Sequence, residues 1–205
     1  MGNKILVVVD MQNDFLTGAL KNDDAIKVIG NVERKIKESC RNGDDIIFTM
    51  DLHNEDYMAT EEGKNLPVPH CIDGTDGCKI YSPVIGSAVK NTPGIFDTEE
   101  DKVTIVCKNT FGSVSLGELI RDRVEKGLQT NNAVTEIELI GVCTDICVIS
   151  NALLVKAFVP NLPVSVDAAC CAGVTPESHD TAIKAMEACQ IHVRNKGDEP
   201  WRKQE

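Results

Sequence analysis

The chain is poor in aromatic side chains, in positive charge and in long apolar runs. Phenylalanine, tryptophan and tyrosine make up 4% of its 205 residues, so few side chains could stack against an aromatic ligand. Lysine and arginine number 21 against 32 aspartates and glutamates, and the net charge of -11 argues against nucleic acid or an anionic membrane as partner. Simple solubility also explains this charge. No apolar run approaches the roughly 20 residues that a membrane span needs.

Cysteine is plentiful, yet the pattern does not suggest a disulfide framework. Of nine cysteines, several, including Cys107, Cys143 and Cys189, lie within or beside apolar patterns. Free cysteine commonly packs there as a small hydrophobic residue. The sequence opens without the pattern of a signal peptide, and disulfides are rare in the cytosol. We therefore expect a reduced, cytoplasmic protein.

Short apolar runs alternate with helical patterns along the chain. The runs cover residues 4–9, 45–50, 103–107, 137–140, 163–167 and 191–193. Continuous β-branched runs of this length are typical of parallel strands that are buried on both faces. Their alternation with helices predicts a single three-layer α/β/α domain over residues 1–205, built on a mainly parallel sheet. Residues 194–205 are polar and predict a solvated tail.

Capping residues indicate where several helices begin and end. Apolar residues at helical spacing over 26–40 are followed by Gly43, and a second set over 116–124 is followed by Gly127, so each glycine is predicted to end a helix. Thr175 and Pro176 have the order of a cap and a first helical residue, which predicts a further helix from that point.

Three of the apolar runs lead to a reactive side chain. The first ends at Asp10, the third at Lys108, and the fourth leads through Gly141 and Val142 to a segment containing Cys147. In open α/β sheets, ligands bind outside the carboxyl ends of the strands. A carboxylate, an ammonium and a thiol at that edge make a candidate catalytic site.

Each of these groups has a chemical role at such a site. Cys147 lies in the first predicted turn of a helix, where the helix dipole lowers a thiol pKa and backbone N–H groups can stabilise an oxyanion. Asp10 can accept the thiol proton, and Lys108 can keep that carboxylate ionised. Considered singly, a packing cysteine, a turn aspartate and a surface lysine are also reasonable.

The long polar loop after the second strand carries possible metal ligands. Asp51 and His53 flank one residue, and His70 follows further along the loop. Two histidines and a carboxylate that leave open positions suit a divalent transition metal such as Zn, Fe or Mn. A ligand-free polar loop is the alternative. Cys71 and Cys78 do not complete a structural zinc pattern.

Three segments resemble the signatures of the isochorismatase-like cysteine hydrolases, a superfamily that includes nicotinamidases. They cover residues 7–15, 108–113 and 141–148, and the likeness runs in order from residue 4 to about 193. The resemblance implies a catalytic triad of Asp10, Lys108 and Cys147. It also implies a cis peptide bond before Cys143 and an oxyanion site formed by the backbone N–H groups of Cys143 and Cys147.

The resemblance extends to the metal and the substrate pocket. It implies metal binding by Asp51, His53 and His70, with a further ligand among residues 60–62. Glu62 fits the spacing forward from Asp51 but is one residue off in its spacing back to His70. Phe15 and Phe111 are the expected pocket walls, for which ordinary core packing is an alternative, while Leu66 stands where an aromatic residue is expected.

The implied activity is hydrolysis of a small amide, with nicotinamide as the leading substrate. An N-carbamoyl compound is the alternative substrate, and a binding protein without catalytic activity is the alternative function. Cleavage of isochorismate is disfavoured, because that reaction does not need the thiolate that the triad supplies. The resemblance to this family also implies that the protein forms a homo-oligomer.

Overall fold

Parallel strands form a single sheet in the computed structural model, which describes residues 3–88 and 103–202. Within those residues the sheet has six strands in the order β3-β2-β1-β4-β5-β6. They are β1 (Asn3–Val9), β2 (Asp45–Asp51), β3 (Val103–Lys108), β4 (Val134–Val142), β5 (Val164–Ala172) and β6 (His192–Arg194). All neighbouring pairs run parallel. The predicted three-layer α/β fold is confirmed, with a sheet that is parallel throughout.

Helices cover both faces of this sheet. They are α1 (Asn13–Leu16), α2 (Asp23–Asn42), α3 (Glu61–Asn65), α4 (Ser82–Gly86), α5 (Val114–Gln129), α6 (Ile149–Phe158) and α7 (Pro176–Ala188). Short 3₁₀ turns lie at Tyr57–Ala59 and Pro200–Arg202, and a π-helical turn at Thr144–Val148. Within the described ranges, no helix is long and apolar enough to cross a membrane.

Strand β1 divides the hydrophobic core between the two faces. Ile5, Val7 and Val9 belong to the cluster that includes residues of α5, α6 and α7, whereas Leu6 and Val8 belong to the cluster that includes α2. Alternate residues of a strand point to opposite faces, so a strand buried on both sides must be apolar throughout. This explains the unbroken apolar run that begins the chain.

The strand order reverses at β1, which lies between β2 and β4. Strands β2 and β3 extend the sheet on one side of β1, and β4, β5 and β6 extend it on the other. A crevice forms at the carboxyl ends of the strands at such a switch point. Gly141 is required here, because it has φ +117° and an added Cβ would lie 2.1 Å from the carbonyl oxygen of Val9. The segments that follow β1 and β4 therefore meet at the crevice.

The two predicted glycine stops have different outcomes. Gly43 adopts the left-handed conformation (φ 75°) that ends α2, so that prediction is confirmed. Gly127 lies inside α5, which continues to Gln129, so its predicted role as a stop is wrong. Its lack of a side chain serves packing instead, because an added Cβ would lie 2.6 Å from the carbonyl oxygen of Asn132. Thr175 caps α7 and Pro176 is its first residue, as predicted.

The C-terminal segment differs from the predicted solvated tail over its described part, residues 194–202. Arg194 belongs to β6, Glu199 is buried, and Trp201 is only 8% exposed. The indole Nε1 donates a hydrogen bond to the carbonyl oxygen of Cys171 at 3.0 Å. Although the surrounding sequence is polar, the large apolar side chain of Trp201 packs in the hydrophobic cluster that includes α2. Residues 203–205 lie outside the described residues.

We expect Trp201→Ala to destabilise the protein by about 3–5 kcal/mol, because it removes a buried indole and leaves a cavity. Trp201→Phe should destabilise the protein less, because it keeps most of the buried apolar surface. Its remaining cost comes from the lost hydrogen bond to Cys171. Urea unfolding followed by circular dichroism measures both free energies. A loss below about 1 kcal/mol for the alanine variant would mean that the segment is not part of the folded core.

Candidate active site

Asp10, Lys108 and Cys147 meet at the carboxyl edge of the sheet. Lys108 Nζ lies 2.6 Å from Asp10 Oδ2 and 3.6 Å from Cys147 Sγ. The carboxylate follows β1, the lysine ends β3, and the cysteine lies in the π-helical turn after β4. All three residues are buried. The structure therefore brings together the three reactive residues that the sequence places at strand ends.

Asp10 is held in an unusual backbone conformation. Its φ is 48°, which few residues other than glycine adopt. The Thr49 hydroxyl donates to Asp10 Oδ1 at 2.5 Å and accepts from the Asp10 backbone N–H at 3.2 Å. Asp10 Oδ2 accepts no hydrogen bond of good geometry from the described residues, although Lys108 pairs with it. A carboxylate oxygen has more than one lone pair, so the ion pair with Lys108 does not prevent Asp10 Oδ2 from receiving a proton.

Burial sets the ionisation of this group. Burial raises the pKa of Asp10 above its usual range, and the ammonium of Lys108 opposes this shift only in part. Burial and the negative charge of Asp10 raise the pKa of the Cys147 thiol well above its usual value, against the opposing effect of Lys108. The net shift of the thiol pKa is therefore upward, opposite to the lowering expected from the helix dipole alone. Cys147 rests as a thiol beside a carboxylate that can accept its proton.

The turn that carries Cys147 begins at a cis peptide bond between Val142 and Cys143, as the resemblance implies. The carbonyl oxygen of Cys143 accepts hydrogen bonds from the N–H groups of Ile146 and Val148, at 3.1 and 3.0 Å. Cys143 and Cys147 both line the same cavity. Their backbone N–H groups remain the predicted oxyanion donors.

Four possible metal ligands converge beside the cysteine group. One ligand atom each from Asp51, His53, Glu62 and His70 lies within 4.8 Å of the others. Asp51 Oδ2 is 2.9 Å from His53 Nε2 and 3.4 Å from His70 Nε2, and Glu62 Oε1 is 3.7 Å from His70 Nε2. The spacing along the sequence left Glu62 uncertain, and the fold brings it to the group through α3.

The orientation and charge of these side chains suit a divalent cation. His70 Nδ1 bonds to the carbonyl oxygen of Val68 at 2.9 Å, which directs Nε2 toward the carboxylates. Burial and the nearby charge of Asp51 raise the pKa of Glu62. Against the effect of burial, hydrogen bonds to His53 and His70 hold the pKa of Asp51 below its usual range. A cation would offset this concentration of buried negative charge.

Cys147 and three of the candidate metal ligands, Asp51, Glu62 and His70, line one cavity of about 670 Å³. Asp51 connects the two groups, because its Oδ1 lies 3.5 Å from Lys108 Nζ. Phe15 and Phe111 both line the cavity, as predicted, and Phe111 is 47% exposed. Leu66 also lines it, so an aliphatic side chain stands where the resemblance implies an aromatic one.

Two buried amide side chains at the site were missed by the sequence analysis. Gln12 donates to the carbonyl oxygens of Asp51 and Cys78, each at 2.7 Å, and accepts from the N–H of Asp51 at 2.8 Å. Asn151 bonds to Cys147 and to the loop after Lys108. Their positions close to Asp10 and Cys147 in the sequence were the available signals.

A buried histidine on α7, His179, also supports the turn that carries Cys147. The ring Nδ1 of His179 lies 2.8 Å from the Thr144 hydroxyl, and its Nε2 lies 3.3 Å from Glu199 Oε1. All three side chains are buried. The C-terminal segment, predicted to be solvated, thus contacts the structure behind the active-site turn.

Proteins of known name that are similar to this chain include nicotinamidases and pyrazinamidases. Over residues 4–197 the chain matches the isochorismatase domain family. It is 23% identical to the nicotinamidase of Schizosaccharomyces pombe, over 94% of this chain and 93% of that protein. The pyrazinamidase/nicotinamidase of Streptococcus mutans superposes with TM-score 0.75 at 26% identity, covering 93% of this chain and 99% of that one. The pyrazinamidase of Pyrococcus horikoshii in complex with zinc gives TM-score 0.70 at 25% identity, covering 93% and 98%.

The fold, the buried cysteine group and these matches together define an amidohydrolase, an enzyme that acts on carbon–nitrogen bonds. Hydrolases of this class are found on several unrelated folds, so the family is a separate question. The chain belongs to the isochorismatase family.

Proposed function

We propose that this protein is a nicotinamidase, which hydrolyses nicotinamide to nicotinate and ammonia through a thioester intermediate. One observation carries the proposal. Cys147 lines the same cavity as three of the four candidate metal ligands, Asp51, Glu62 and His70, and its candidate proton acceptor Asp10 pairs with Lys108 beside it. The names of the similar proteins support the choice of substrate.

In the first half of the reaction, the thiol of Cys147 becomes the nucleophile. Its proton passes to Asp10, whose raised pKa suits it to hold a proton between steps. The sulfur attacks the amide carbon, and the negative charge that develops on oxygen faces the N–H groups of Cys143 and Cys147. Asp10 then returns the proton to the leaving nitrogen, ammonia departs, and a thioester remains.

In the second half, water takes the place of ammonia. Asp10 removes a proton from the water as its oxygen attacks the thioester carbon. The carbon–sulfur bond breaks, the carboxylic acid leaves, and the proton on Asp10 returns to the sulfur. Lys108 stays charged throughout, since its ion pair with Asp10 raises its pKa against the effect of burial. It stabilises whichever neighbour carries the negative charge.

Asp51, His53, Glu62 and His70 would hold a divalent transition metal at the wall of the same cavity. When bound, the metal would supply a Lewis acid to which the lone pair of the pyridine nitrogen of nicotinamide could bind. Phe15 and Phe111 would enclose the ring, and the amide group would then face Cys147.

Ammonia release from the purified wild-type protein tests the function. The substrates are nicotinamide, pyrazinamide and an N-carbamoyl amine, each with and without a chelator. Fastest release from nicotinamide, reduced by the chelator and restored by added Zn²⁺, Fe²⁺ or Mn²⁺, supports the proposal. Activity confined to the carbamoyl compound and insensitive to the chelator would favour the alternative substrate. No release from any amide would favour a binding protein.

Two adjacent glutamates on α3 give a matched test of the metal group. Glu62 faces His53 and His70, whereas Glu61 is exposed and pairs with Lys64. We expect Glu62→Gln to weaken Zn²⁺ binding by about 10- to 100-fold. Removing a residue that only hydrogen-bonds to a metal ligand already costs this much, so changing a ligand should cost at least as much. Glu61→Gln should leave the affinity unchanged. Competition with a chromophoric chelator measures both, and equal losses would exclude Glu62 as a ligand.

A further inference from the structure

Asn151 is a buried side chain outside the reacting group whose hydrogen bonds all go to the active-site segments. It lies on α6, four residues after Cys147, and is fully buried. Its Nδ2 donates to the carbonyl oxygen of Cys147 at 2.8 Å and to that of Phe111 at 3.1 Å. Its Oδ1 accepts from the N–H of Ser113 at 2.9 Å. Both amide hydrogens and one oxygen lone pair are therefore used.

These bonds join two segments that are far apart in the sequence. One is the turn that carries the nucleophile, and the other is the loop that begins at Lys108 and contains Phe111. A backbone contact supports the same junction, because an added Cβ at Gly112 would lie 3.2 Å from the carbonyl oxygen of Ser150. Phe111 needs such support, since its side chain is half exposed and lines the cavity.

We propose that Asn151 is a positioning residue that sets the distance between the sulfur of Cys147 and the substrate wall formed by Phe111. The inference rests on the proposed function, because it concerns how a bound amide is aligned with the sulfur. Misplacement by about 1 Å can cost about 100-fold in rate even when the reacting groups are intact. Asn151 touches neither substrate nor the sulfur, so its effect is on alignment.

Asn151→Asp is the most direct variant. It keeps the size of the side chain and an oxygen that accepts from Ser113, but it loses both hydrogens that bond to Cys147 and Phe111. Asn151→Ser is the second variant. A serine hydroxyl can still bond to the carbonyl four residues earlier in the helix, that of Cys147, but it is too short to reach Phe111. The serine variant therefore breaks the junction while keeping the contact within the turn.

Two rates distinguish alignment from general support of the fold. Amide hydrolysis needs the substrate to be held against both segments, whereas iodoacetamide reacts with the sulfur without being held. We expect kcat/KM for the best amide substrate to fall by about 100-fold in both variants, with KM raised. Alkylation of Cys147 in the uncharged serine variant, followed by mass spectrometry of its peptide, should stay within about threefold of wild type.

Asn31→Asp is the matched control, because Asn31 also donates to a backbone carbonyl, that of Ala169, at 2.7 Å but does not line the cavity. Thermal unfolding of all variants shows whether they fold. Hydrolysis within about threefold of wild type in a folded Asn151 variant would overturn the proposal. So would equal losses in hydrolysis and alkylation in Asn151→Ser, or a loss of hydrolysis in Asn31→Asp equal to that in Asn151→Asp. The wild-type rate on nicotinamide tests the proposed function separately, because the inference depends only on ratios to wild type.

Discussion

Cys147→Ala is expected to lower kcat for amide hydrolysis by about 10⁴-fold or more, because it removes the atom that forms the bond to the substrate. The change deletes one buried sulfur and leaves the Asp10–Lys108 ion pair in place. Folding should therefore persist, and the variant should still bind substrate in the cavity. Ammonia release in a continuous coupled assay measures the rate, and isothermal titration with nicotinamide measures binding.

Cys189→Ala serves as the control for this experiment. Cys189 is exposed at the end of α7 and does not line the cavity. It should keep the wild-type rate and stability. If Cys147→Ala kept a rate close to that of wild type, the thioester route would be ruled out. Asp51, His53, Glu62 and His70 would then become the residues of interest, because a divalent ion held there could supply Lewis-acid activation of water.

Asp10→Asn is expected to change two reactions of the same sulfur in opposite directions. Hydrolysis should fall by about 10³-fold, because the amide cannot accept the thiol proton or deliver it to the leaving nitrogen. Alkylation by iodoacetamide near neutral pH should become faster. The negative charge of Asp10 raises the pKa of the Cys147 thiol, and the positive charge of Lys108 opposes this shift. Removing the carboxylate therefore lowers the thiol pKa. More thiolate is then present at a given pH.

The alkylation rate measured from pH 6 to 10 shows whether the thiolate fraction at a given pH is larger in Asp10→Asn than in wild type, which is the sign of a lowered thiol pKa. Asp44→Asn is a suitable control, because Asp44 is also buried and accepts the backbone N–H of Lys4, at the opposite end of the sheet from the site. It should leave both reactions as in wild type. A thiol pKa that rises in Asp10→Asn would contradict the assigned electrostatics. Unchanged hydrolysis would contradict the role of Asp10 as base.

The sheet and the three reactive residues could be predicted because the signals are local. Each strand is a short run of apolar residues, and a strand buried on both faces leaves little freedom in its composition. Once strands are placed, the residues after them are known to lie at one edge. Asp10 directly follows its strand and Lys108 is the last residue of its strand, so an error of one or two residues in a boundary does not move them away from the site.

Residues whose role depends on a distant partner were harder to predict. Trp201 stands in a polar stretch, and only the packing of α2 against the sheet provides the space that buries it. Apart from its place four residues after Cys147, Asn151 has no pattern that distinguishes it from any polar residue on a helix. Its role depends on the loop around Phe111, about 40 positions earlier in the chain.

The sequence by itself determined the fold class, the family and the candidate catalytic residues, because periodicity and short motifs are properties of neighbouring residues. The tertiary structure decided how those residues behave. It placed Glu62 with Asp51 and the two histidines, and it buried Cys147 beside Asp10 so that the thiol pKa is raised. Desolvation and distance between groups depend on everything packed around them, and no local pattern contains that information.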